Sequence, residues 1–352
     1  MRIGILTWFS AYNYGARAQA HALLHVLCEM GYQCEFINFE PKGFKKYSRK
    51  GNLNCWYPYR RWIKALRCYI RCYKYEKDLR NVPCSKKVED AAQIDDLGYD
   101  LLVIGSDSIL NMNHEMFHPV YYGVGIKRTP YIFYAPSCES MMESELLSPL
   151  LKEGIYNAKA ISVRDSNSKK IIEKNTGICA EVLLDPTFLY EYTAEKQFKY
   201  RDYILLYSFS NWGRYSGEIR RYAKENKLKI ISLGRYCPWA DISLDMCSVR
   251  QWIQAYNEAQ IVVTDSFHGT VFAIKNRKQL VVLARDDKKT KIREMLKTCG
   301  VLHNTFYEGG NLQQYLKENR INYNEVYQVL DVLKKDSLNY LKTNIEKAWE
   351  TT

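Results

Sequence analysis

The sequence has no run of apolar residues long enough to span a bilayer, which argues against a membrane-spanning protein. Residues 1–6 lead directly into a strand pattern, which is not how a signal peptide begins. We therefore expect a cytoplasmic protein.

Sequence signatures of a bound metal or cofactor are also missing. No C-x-x-C pair occurs among the 11 cysteines, and their odd, scattered distribution disfavours a disulfide framework or a zinc site. No G-x-G-x-x-G fingerprint follows the first predicted strand, so a dinucleotide site is not supported. His21 and His25 share one predicted helix, but the sequence suggests no third metal ligand. We expect neither a metal nor a cofactor.

Acidic residues are scarce in residues 41–84, where 13 Lys or Arg oppose only Glu76 and Asp78. This segment carries most of the chain's net charge of +12, and aromatic residues are interleaved with its basic ones. The composition indicates either a solvated basic face over packed aromatic side chains or a patch that binds an anionic membrane surface. Nucleic acid binding is disfavoured because no recognised nucleic-acid motif is present.

Over the rest of the chain, short apolar runs rich in β-branched residues alternate with helical periodicity, which predicts parallel sheets. The alternation restarts after a polar stretch near 190–202. We therefore predict an α/β fold with two Rossmann-like, doubly wound domains that face each other across a cleft. The expected domains are 1–195, with 41–84 as an insertion, and 196–325; residues 326–352 form a helix that packs back on the first domain.

Several predicted strands end in polar residues, at the edge where open α/β sheets bind ligands. Asn13-Tyr14-Gly15 follows the first strand, and glycine there suits close approach of a ligand to the backbone. Ser106 and Asp107 follow a buried strand at 101–104, with Asn111 nearby. Asp107 could accept a sugar hydroxyl, act as a base, or cap a helix.

Arg164 ends another predicted strand. Its guanidinium could hold a carboxylate or phosphate through two parallel hydrogen bonds. The alternative is an ion pair with Asp165 or Asp185. Asp185 itself precedes Pro186, which favours a structural turn.

One strand-to-helix turn combines several signals. The buried strand that ends at Thr264 is followed by Asp265-Ser266-Phe267-His268-Gly269-Thr270 and then by an apolar helical run. The N-terminus of a helix presents free N–H groups to an anion. An imidazole in that position is poised for proton transfer near neutral pH. The alternative is a histidine that only packs or bonds a neighbouring carbonyl.

Five motifs in order give residues 1–300 a resemblance to the polysaccharide pyruvyl transferase family. They are Gly4-Ile5-Leu6-Thr7 with Asn13-Tyr14-Gly15-Ala16 and Gln19, Val103-Ile104-Gly105-Ser106-Asp107, Ser162-Val163-Arg164-Asp165, Asp185-Pro186-Thr187, and Thr264-Asp265-Ser266-Phe267-His268-Gly269-Thr270. The resemblance implies two Rossmann-like halves arranged as in GT-B glycosyltransferases. It also implies phosphoenolpyruvate as the donor and a ketal-linked pyruvate on a sugar as the product, in a bacterial surface or capsular polysaccharide.

The resemblance also implies roles for particular residues. His268 would protonate the donor's methylene or the leaving phosphate, and Asp107 would orient or deprotonate the acceptor. The expected donor-binding residues are Arg164, Ser266, His268, Gly269, Thr270, Arg285 and Lys289. The expected acceptor-binding residues are Asn13, Tyr14, Gly15, Ser106, Asp107 and Asn111. The acceptor would be a sugar or an oligosaccharide on a polyprenyl lipid, and no metal is required.

Two departures and two alternatives accompany this resemblance. Many family members carry a basic residue where Phe267 stands, so Arg285 or Lys289 is expected to replace its charge. The stretch after Asp107 reads Ser-Ile-Leu-Asn instead of Gln-x-Trp-Asn. A nucleotide-sugar glycosyltransferase of GT-B type would use Asp265 or Asp287 for its base and ribose pocket. A non-enzymatic protein that binds membrane surfaces is the other alternative.

Overall fold

The computed structural model describes residues 1–42, 61–192, 198–208, 215–283, 286–305, 307, 309–318 and 320–350; for 61, 63–65 and 286–290 only the backbone is described. The chain divides into two units. Unit 1 comprises Met1–Asn54, Leu79–Tyr190 and Val332–Thr352, and unit 2 comprises Cys55–Asp78 and Glu191–Asp331.

Each unit contains one parallel sheet. In unit 1 the strand order is β2-β1-β3-β4-β5-β6, and in unit 2 it is β11-β10-β7-β8-β9. The strands are β1 (Arg2–Leu6), β2 (Gln33–Phe36), β3 (Leu101–Ile104), β4 (Tyr131–Phe133), β5 (Ala160–Val163), β6 (Glu181–Val182), β7 (Tyr203–Tyr207), β8 (Lys229–Leu233), β9 (Ile242–Leu244), β10 (Ile261–Thr264) and β11 (Gln279–Val282). Both orders reverse direction once, between β1 and β3 and between β7 and β10.

Helices connect most of these strands. They are α1 (Tyr14–Glu29), α2 (Arg61–Leu79), α3 (Ala91–Asp95), α4 (Pro149–Tyr156), α5 (Ser166–Thr176), α6 (Pro186–Leu189), α7 (Tyr215–Glu225), α8 (Val249–Gln254), α9 (Phe267–Lys275), α10 (Asp286–Thr298), α11 (Leu302–Thr305), α12 (Leu312–Glu318) and α13 (Tyr323–Glu350). A short 3₁₀ helix spans Pro119–Tyr122. The parallel strands with helical crossovers confirm the predicted α/β fold with two Rossmann-like sheets.

The sheet of unit 1 is buried on both faces. Alternate residues of β3 belong to different core clusters, Leu102 and Ile104 to one and Leu101 and Val103 to the other. This is the pattern of a central parallel strand, whose successive side chains point to opposite faces. It also explains why β3 reads in the sequence as a continuous apolar run.

Helix α13 packs against the core cluster of unit 1 that contains Leu101 and Val103. Leu341 and Ile345 are fully buried there. The Tyr340 hydroxyl donates to the Phe133 carbonyl at 3.0 Å, and the Leu184 amide donates to Ser337 Oγ at 3.1 Å. Residues 332–350 therefore complete the core of unit 1, although they follow the whole of unit 2 in the chain.

The two units divide the chain close to the expected domain boundary, but one helix falls in the other unit. The boundary between Tyr190 and Glu191 lies near the expected one at 195. Helix α2, placed by the sequence pattern in an insertion of the first domain, belongs to unit 2. Much of the 41–84 insertion, residues 43–60, lies outside the described residues.

Among the helices that the structure describes, none combines the length and the apolar composition needed to cross a bilayer.

Candidate functional site

The polar cluster of unit 1 lies at the point where the strand order of its sheet reverses, between β1 and β3. Such a switch point opens a crevice at the carboxyl ends of the strands, where α/β proteins bind ligands. Thr7, directly after β1, donates from Oγ1 to the Ser106 carbonyl after β3 at 3.2 Å, and Gln19 Nε2 donates to Thr7 Oγ1 at 3.2 Å. These buried bonds tie the two strand ends together.

Asp107 follows β3 in a tight turn. Gly105 makes this turn possible, since a Cβ at that position would lie 2.1 Å from the Tyr134 carbonyl oxygen. Ser106 Oγ donates to the Ala135 carbonyl at 2.7 Å, and Asp107 itself adopts a left-handed φ of 69°. The Asp107 carboxylate accepts from the Ser108 amide at 2.8 Å and keeps 12% of its side chain exposed. Asp107 is therefore held firmly at the edge of the sheet but stays accessible.

Arg164 lies between two carboxylates. Its Nη1 is 2.7 Å from Asp185 Oδ2, and its Nη2 is 3.9 Å from Asp107 Oδ1. The side chains of Arg164 and Asp185 are 4% and 0% exposed. Burial lowers the pKa of the guanidinium, but the two carboxylates more than offset this, so its pKa lies above the usual value. Arg164 thus carries a permanent charge that links Asp185 to Asp107.

The structure gives Asp185 and Asp165 clear local roles. Asp185 caps α6, accepting at Oδ1 from the amide and hydroxyl of Thr187. Asp165 caps α5 through Ser168 and accepts from Ser137 Oγ at 2.6 Å. Of the two partners considered for Arg164, Asp185 is the one with which it forms the short ion pair.

The remaining acceptor candidates take part in local hydrogen bonds. Asn13 caps α1, accepting from the Ala16 amide at 3.2 Å, and Tyr14 and Gly15 are buried in the first turn of that helix. Asn111 Nδ2 donates weakly, at 3.4 Å, to both Glu139 and Ser140. These residues all follow β1 or β3, so they lie at the same carboxyl edge of the sheet as Asp107.

Unit 2 repeats this arrangement at its own switch point. Ser208, directly after β7, donates to Asp265 Oδ2 after β10 at 2.8 Å. Thr264 Oγ1 donates to the Tyr207 carbonyl and accepts from the Ser266 amide at 3.1 Å. Burial raises the pKa of the Tyr207 hydroxyl, so this phenol stays protonated. Ser208 was not among the candidates from the sequence, although its position after a predicted strand is the signal that identified the others.

His268 occupies the first turn of α9, in the turn formed by residues 265–270. Ser266 caps this helix, accepting at Oγ from the Gly269 amide at 3.5 Å, while Thr270 Oγ1 donates back to the Ser266 carbonyl at 2.9 Å. His268 is 8% exposed. The first N–H groups of a helix have no partner within it, so His268 lies at a position of positive potential suited to an anion.

Gly269 serves the packing of α9 against the sheet. A Cβ there would lie 2.3 Å from Thr264 Oγ1 and 2.9 Å from Tyr207 Cδ1. Further along α9, Phe272 packs against Trp252 with ring centroids 4.9 Å apart. This close fit fixes the height of the first turn above the strand ends, and with it the position of His268.

A cation that was not among the expected donor-binding residues lies beside Phe267. Lys291 Nζ in α10 is 5.8 Å from the centroid of the Phe267 ring. Of the two cations expected there, Arg285 lies outside the described residues, and only the backbone of Lys289 is described. Lys291 follows Lys289 by half a helical turn. Because α10 begins after β11, it brings its N-terminal half to the same edge of the sheet as the turn around His268.

No group of three or more His, Cys, Asp or Glu side chains that could hold a metal ion occurs in the described part of the chain.

The family model for polysaccharide pyruvyl transferase matches residues 13–287, a stretch that begins just before α1 and includes Asp107, Arg164 and His268. The chain belongs to this family. The sequence motifs around Asp107, Arg164 and His268 had indicated the same family, and this prediction is confirmed. A transferase of this family acts on sugars or polysaccharides.

Solved structures of other proteins share the fold. UDP-GlcNAc 2-epimerase from Neisseria meningitidis, bound to UDP-GlcNAc, aligns with a TM-score of 0.52 at 9% identity over 99% of this chain and 100% of its own. A putative UDP-N-acetylglucosamine 2-epimerase from Listeria monocytogenes gives 0.54 at 10% identity over 100% and 97%. MnaA of S. aureus with UDP gives 0.50 at 11% identity over 98% and 96%.

These likenesses show a shared GT-B-type fold, which agrees with the predicted fold class. At such low identity they say nothing of the ligand of this chain. A search of curated proteins found no match.

Proposed function

We propose that the protein transfers the pyruvate unit of phosphoenolpyruvate onto two hydroxyls of a sugar, forming a ketal and releasing phosphate. Membership of the polysaccharide pyruvyl transferase family supports the transferase class. The observation that carries the donor assignment is the position of His268, buried in the first turn of α9 at the switch point of unit 2. A helix N-terminus suits the phosphate or carboxylate of the donor, and an imidazole beside it suits proton transfer.

In the proposed donor site, the first turn of α9 receives one anionic group of phosphoenolpyruvate. Ser266, Gly269 and Thr270 shape this turn, and Lys291 supplies a cation next to it. Arg285 and Lys289 stay further candidates for the same role. His268 gives a proton to the methylene carbon, which becomes the methyl group of the product. A sugar hydroxyl, deprotonated by Asp107, then bonds to C2, and the bond from C2 to the phosphate oxygen breaks. The second hydroxyl bonds to C2 and closes the ketal, and its proton leaves with the phosphate.

We assign the acceptor to the switch point of unit 1. Asp107 is a partly exposed carboxylate at the end of a strand, which suits orienting or deprotonating a sugar hydroxyl. Asn13, Tyr14, Gly15, Ser106 and Asn111 are the further acceptor candidates. Because Arg164 already pairs with Asp185, we propose that it acts mainly by positioning Asp107, with direct contact to the donor as its second possible role. An acceptor on a polyprenyl lipid, as in capsule or exopolysaccharide assembly, is part of this proposal.

The test is phosphate release from phosphoenolpyruvate with a panel of lipid-linked galactosides, glucosides and mannosides. We expect His268→Ala to lower kcat about 10²–10⁴-fold, the usual contribution of a general acid. His303→Ala, an exposed histidine in α11, is the control and should keep full activity. Lys291→Gln should raise the KM for phosphoenolpyruvate and leave kcat nearly unchanged. Full activity of His268→Ala would remove this residue from the mechanism.

A thermal-shift comparison separates this proposal from a nucleotide-sugar glycosyltransferase. A ligand at about a hundred times its Kd stabilises the folded protein by roughly 2.7 kcal/mol. We expect phosphoenolpyruvate to raise the Tm and nucleotide sugars to leave it unchanged. The opposite result would favour the glycosyltransferase and would point to Asp265 as a ligand of the ribose.

A further inference from the structure

Helix α2 exposes an apolar stripe. Trp62, Leu66, Tyr69 and Tyr73 follow one another at spacings of four, three and four residues, which places them on one face of a helix. Their exposed fractions are 73%, 53%, 66% and 46%. A helix on the surface of a protein normally turns such a face toward the core.

The opposite face of α2 is polar and contacts the rest of unit 2. Arg67 pairs with Asp245 at 3.3 Å, Arg71 Nη1 donates to the Gly234 carbonyl at 3.4 Å, and Lys74 Nζ donates to the Met246 carbonyl at 2.7 Å. Asp78 accepts from the Val249 amide at 3.0 Å, at the start of α8.

These contacts fix how α2 is rotated. Three of its basic residues bind the protein, so the helix cannot turn its apolar face inward without breaking them. Tyr75 of α2 is buried, but the apolar stripe is exposed and three basic residues bind the protein, so these basic side chains do not form a solvated face over the stripe.

Positive charge accompanies the stripe along the chain. At the end of α2, the exposed Lys77 and Arg80 are balanced by the exposed Glu76 and Asp78, so the positive charge comes from the residues before the helix. By sequence, residues 42–61, which lead into the helix, contain seven Lys or Arg and no Asp or Glu. Near an anionic bilayer each such residue contributes about 1 kcal/mol of attraction. The charge of the segment thus favours a negatively charged partner.

We propose that the stripe of Trp62, Leu66, Tyr69 and Tyr73 docks unit 2 onto the surface of an anionic phospholipid bilayer. Tryptophan and tyrosine favour the boundary between headgroups and acyl chains, because their rings are apolar and their N–H or O–H groups stay hydrated.

The size of the stripe also favours this partner over a second copy of the chain. From the exposed fractions and the usual size of such side chains, the stripe presents on the order of 500 Å². A stable dimer buries about 800 Å² on each partner. Binding of an interfacial helix to a bilayer draws on electrostatic attraction to anionic lipids in addition to the apolar area that it buries.

The proposal is independent of the chemistry at His268 and Asp107. It would, however, place a transferase at the surface where sugars attached to polyprenyl lipids are exposed. The binding experiment below needs no substrate, so its result does not depend on which reaction the protein catalyses.

Vesicle flotation tests the proposal on the full chain. We expect the protein to float with vesicles of equal parts phosphatidylcholine and phosphatidylglycerol at low salt. It should float poorly with phosphatidylcholine alone or at high salt. Trp62→Ser/Tyr69→Ser should lower the partition coefficient at least about tenfold, because it removes the two most exposed aromatic side chains of the stripe.

The matched control is Met142→Ser/Leu146→Ser, which removes two apolar side chains of unit 1 that are 65% and 72% exposed. It should bind vesicles as the unchanged protein does. Since all four residues are exposed, both variants should unfold at the same temperature as the parent. Absence of flotation with anionic vesicles at low salt would overturn the proposal, as would equal losses in the two variants. A dimer that the Trp62→Ser/Tyr69→Ser variant dissociates, without vesicle binding, would overturn it in favour of self-association.

Discussion

At the scale of single residues, the pair of Arg164 and Asp185 decides how the unit 1 site is held. A sequence can show that a strand ends in arginine, but not which carboxylate folding will bring to it. Asp165 is adjacent in sequence, whereas Asp185 lies 21 positions away and is the partner at 2.7 Å. Because Arg164 pairs closely with Asp185, its ion pair with Asp107 is the longer of the two, with 3.9 Å between Arg164 Nη2 and Asp107 Oδ1.

Removing the charge of Arg164 should therefore destabilise unit 1. We expect Arg164→Met to lower the free energy of unfolding by about 3–5 kcal/mol, because Asp185 would be left buried without its counter-charge. Arg164→Met/Asp185→Asn should recover most of this loss, since asparagine keeps an acceptor for Thr187 and carries no charge. Urea denaturation measures both. An Arg164→Met variant with an unchanged midpoint would show that the ion pair contributes no stability.

At the scale of elements, the position of α9 depends on a glycine. The sequence placed Gly269 at a helix start expected to bind the donor, and the structure shows that its missing Cβ also makes room for Thr264 and Tyr207. The sequence shows only that a glycine stands in this turn. Which neighbour needs the space depends on the packing of a helix against a strand, and this is not encoded locally.

Gly269→Ala should lower the free energy of unfolding by about 1–3 kcal/mol, the usual cost of overpacking, and should move the first turn of α9. Gly217→Ala in α7 is the matched control. A Cβ there meets nothing within 4 Å, so the variant should be neutral or more stable by about 0.5–1 kcal/mol. Thermal unfolding compares the two. Equal stability of Gly269→Ala and the parent would mean that α9 can shift freely on its strand.

The pattern of apolar residues in the sequence predicted the strands, but it did not predict the orientation of helix α2. The strands at 101–104 and 261–264 were evident as short apolar runs, and polar residues at their ends indicated a ligand-binding edge. The orientation of α2 was not evident, because an apolar stripe in a sequence has the same pattern whether it faces the core or the solvent. Only the partners of Arg67, Arg71 and Lys74, all of them more than 160 positions away, fix that orientation.

At the scale of the whole molecule, the two sheets follow the same plan. In each sheet the strand order reverses once, and Asp107 in unit 1 and His268 in unit 2 follow strands at that reversal. Two such sheets could be predicted from alternating strands and helices. The return of the last helix to the first domain was also expected from the sequence, but the residues that it contacts there could not be predicted, because they lie far away in the sequence.

The contribution of α13 to unit 1 can be measured with two residues of the same helix. Leu341 is fully buried in the core of unit 1, whereas Val332 is 60% exposed. We expect Leu341→Ala to lower the free energy of unfolding by about 2–5 kcal/mol, and Val332→Ala to change it by no more than roughly 0.5 kcal/mol. Tryptophan fluorescence during denaturation provides the measurement. Equal effects of the two substitutions would show that α13 does not stabilise unit 1.

The course of the chain also determines when each part of the unit 1 core is synthesised on the ribosome. Leu341 and Ile345 cover the same apolar cluster as Ile3 and Leu23, yet they are translated after all of unit 2. At about 5–20 residues per second, roughly 7 to 28 seconds separate Tyr190 from Val332. During that interval the nascent chain exposes an apolar surface that its own last helix will cover. Newly made chains are therefore most vulnerable to aggregation and proteolysis while unit 2 is being translated.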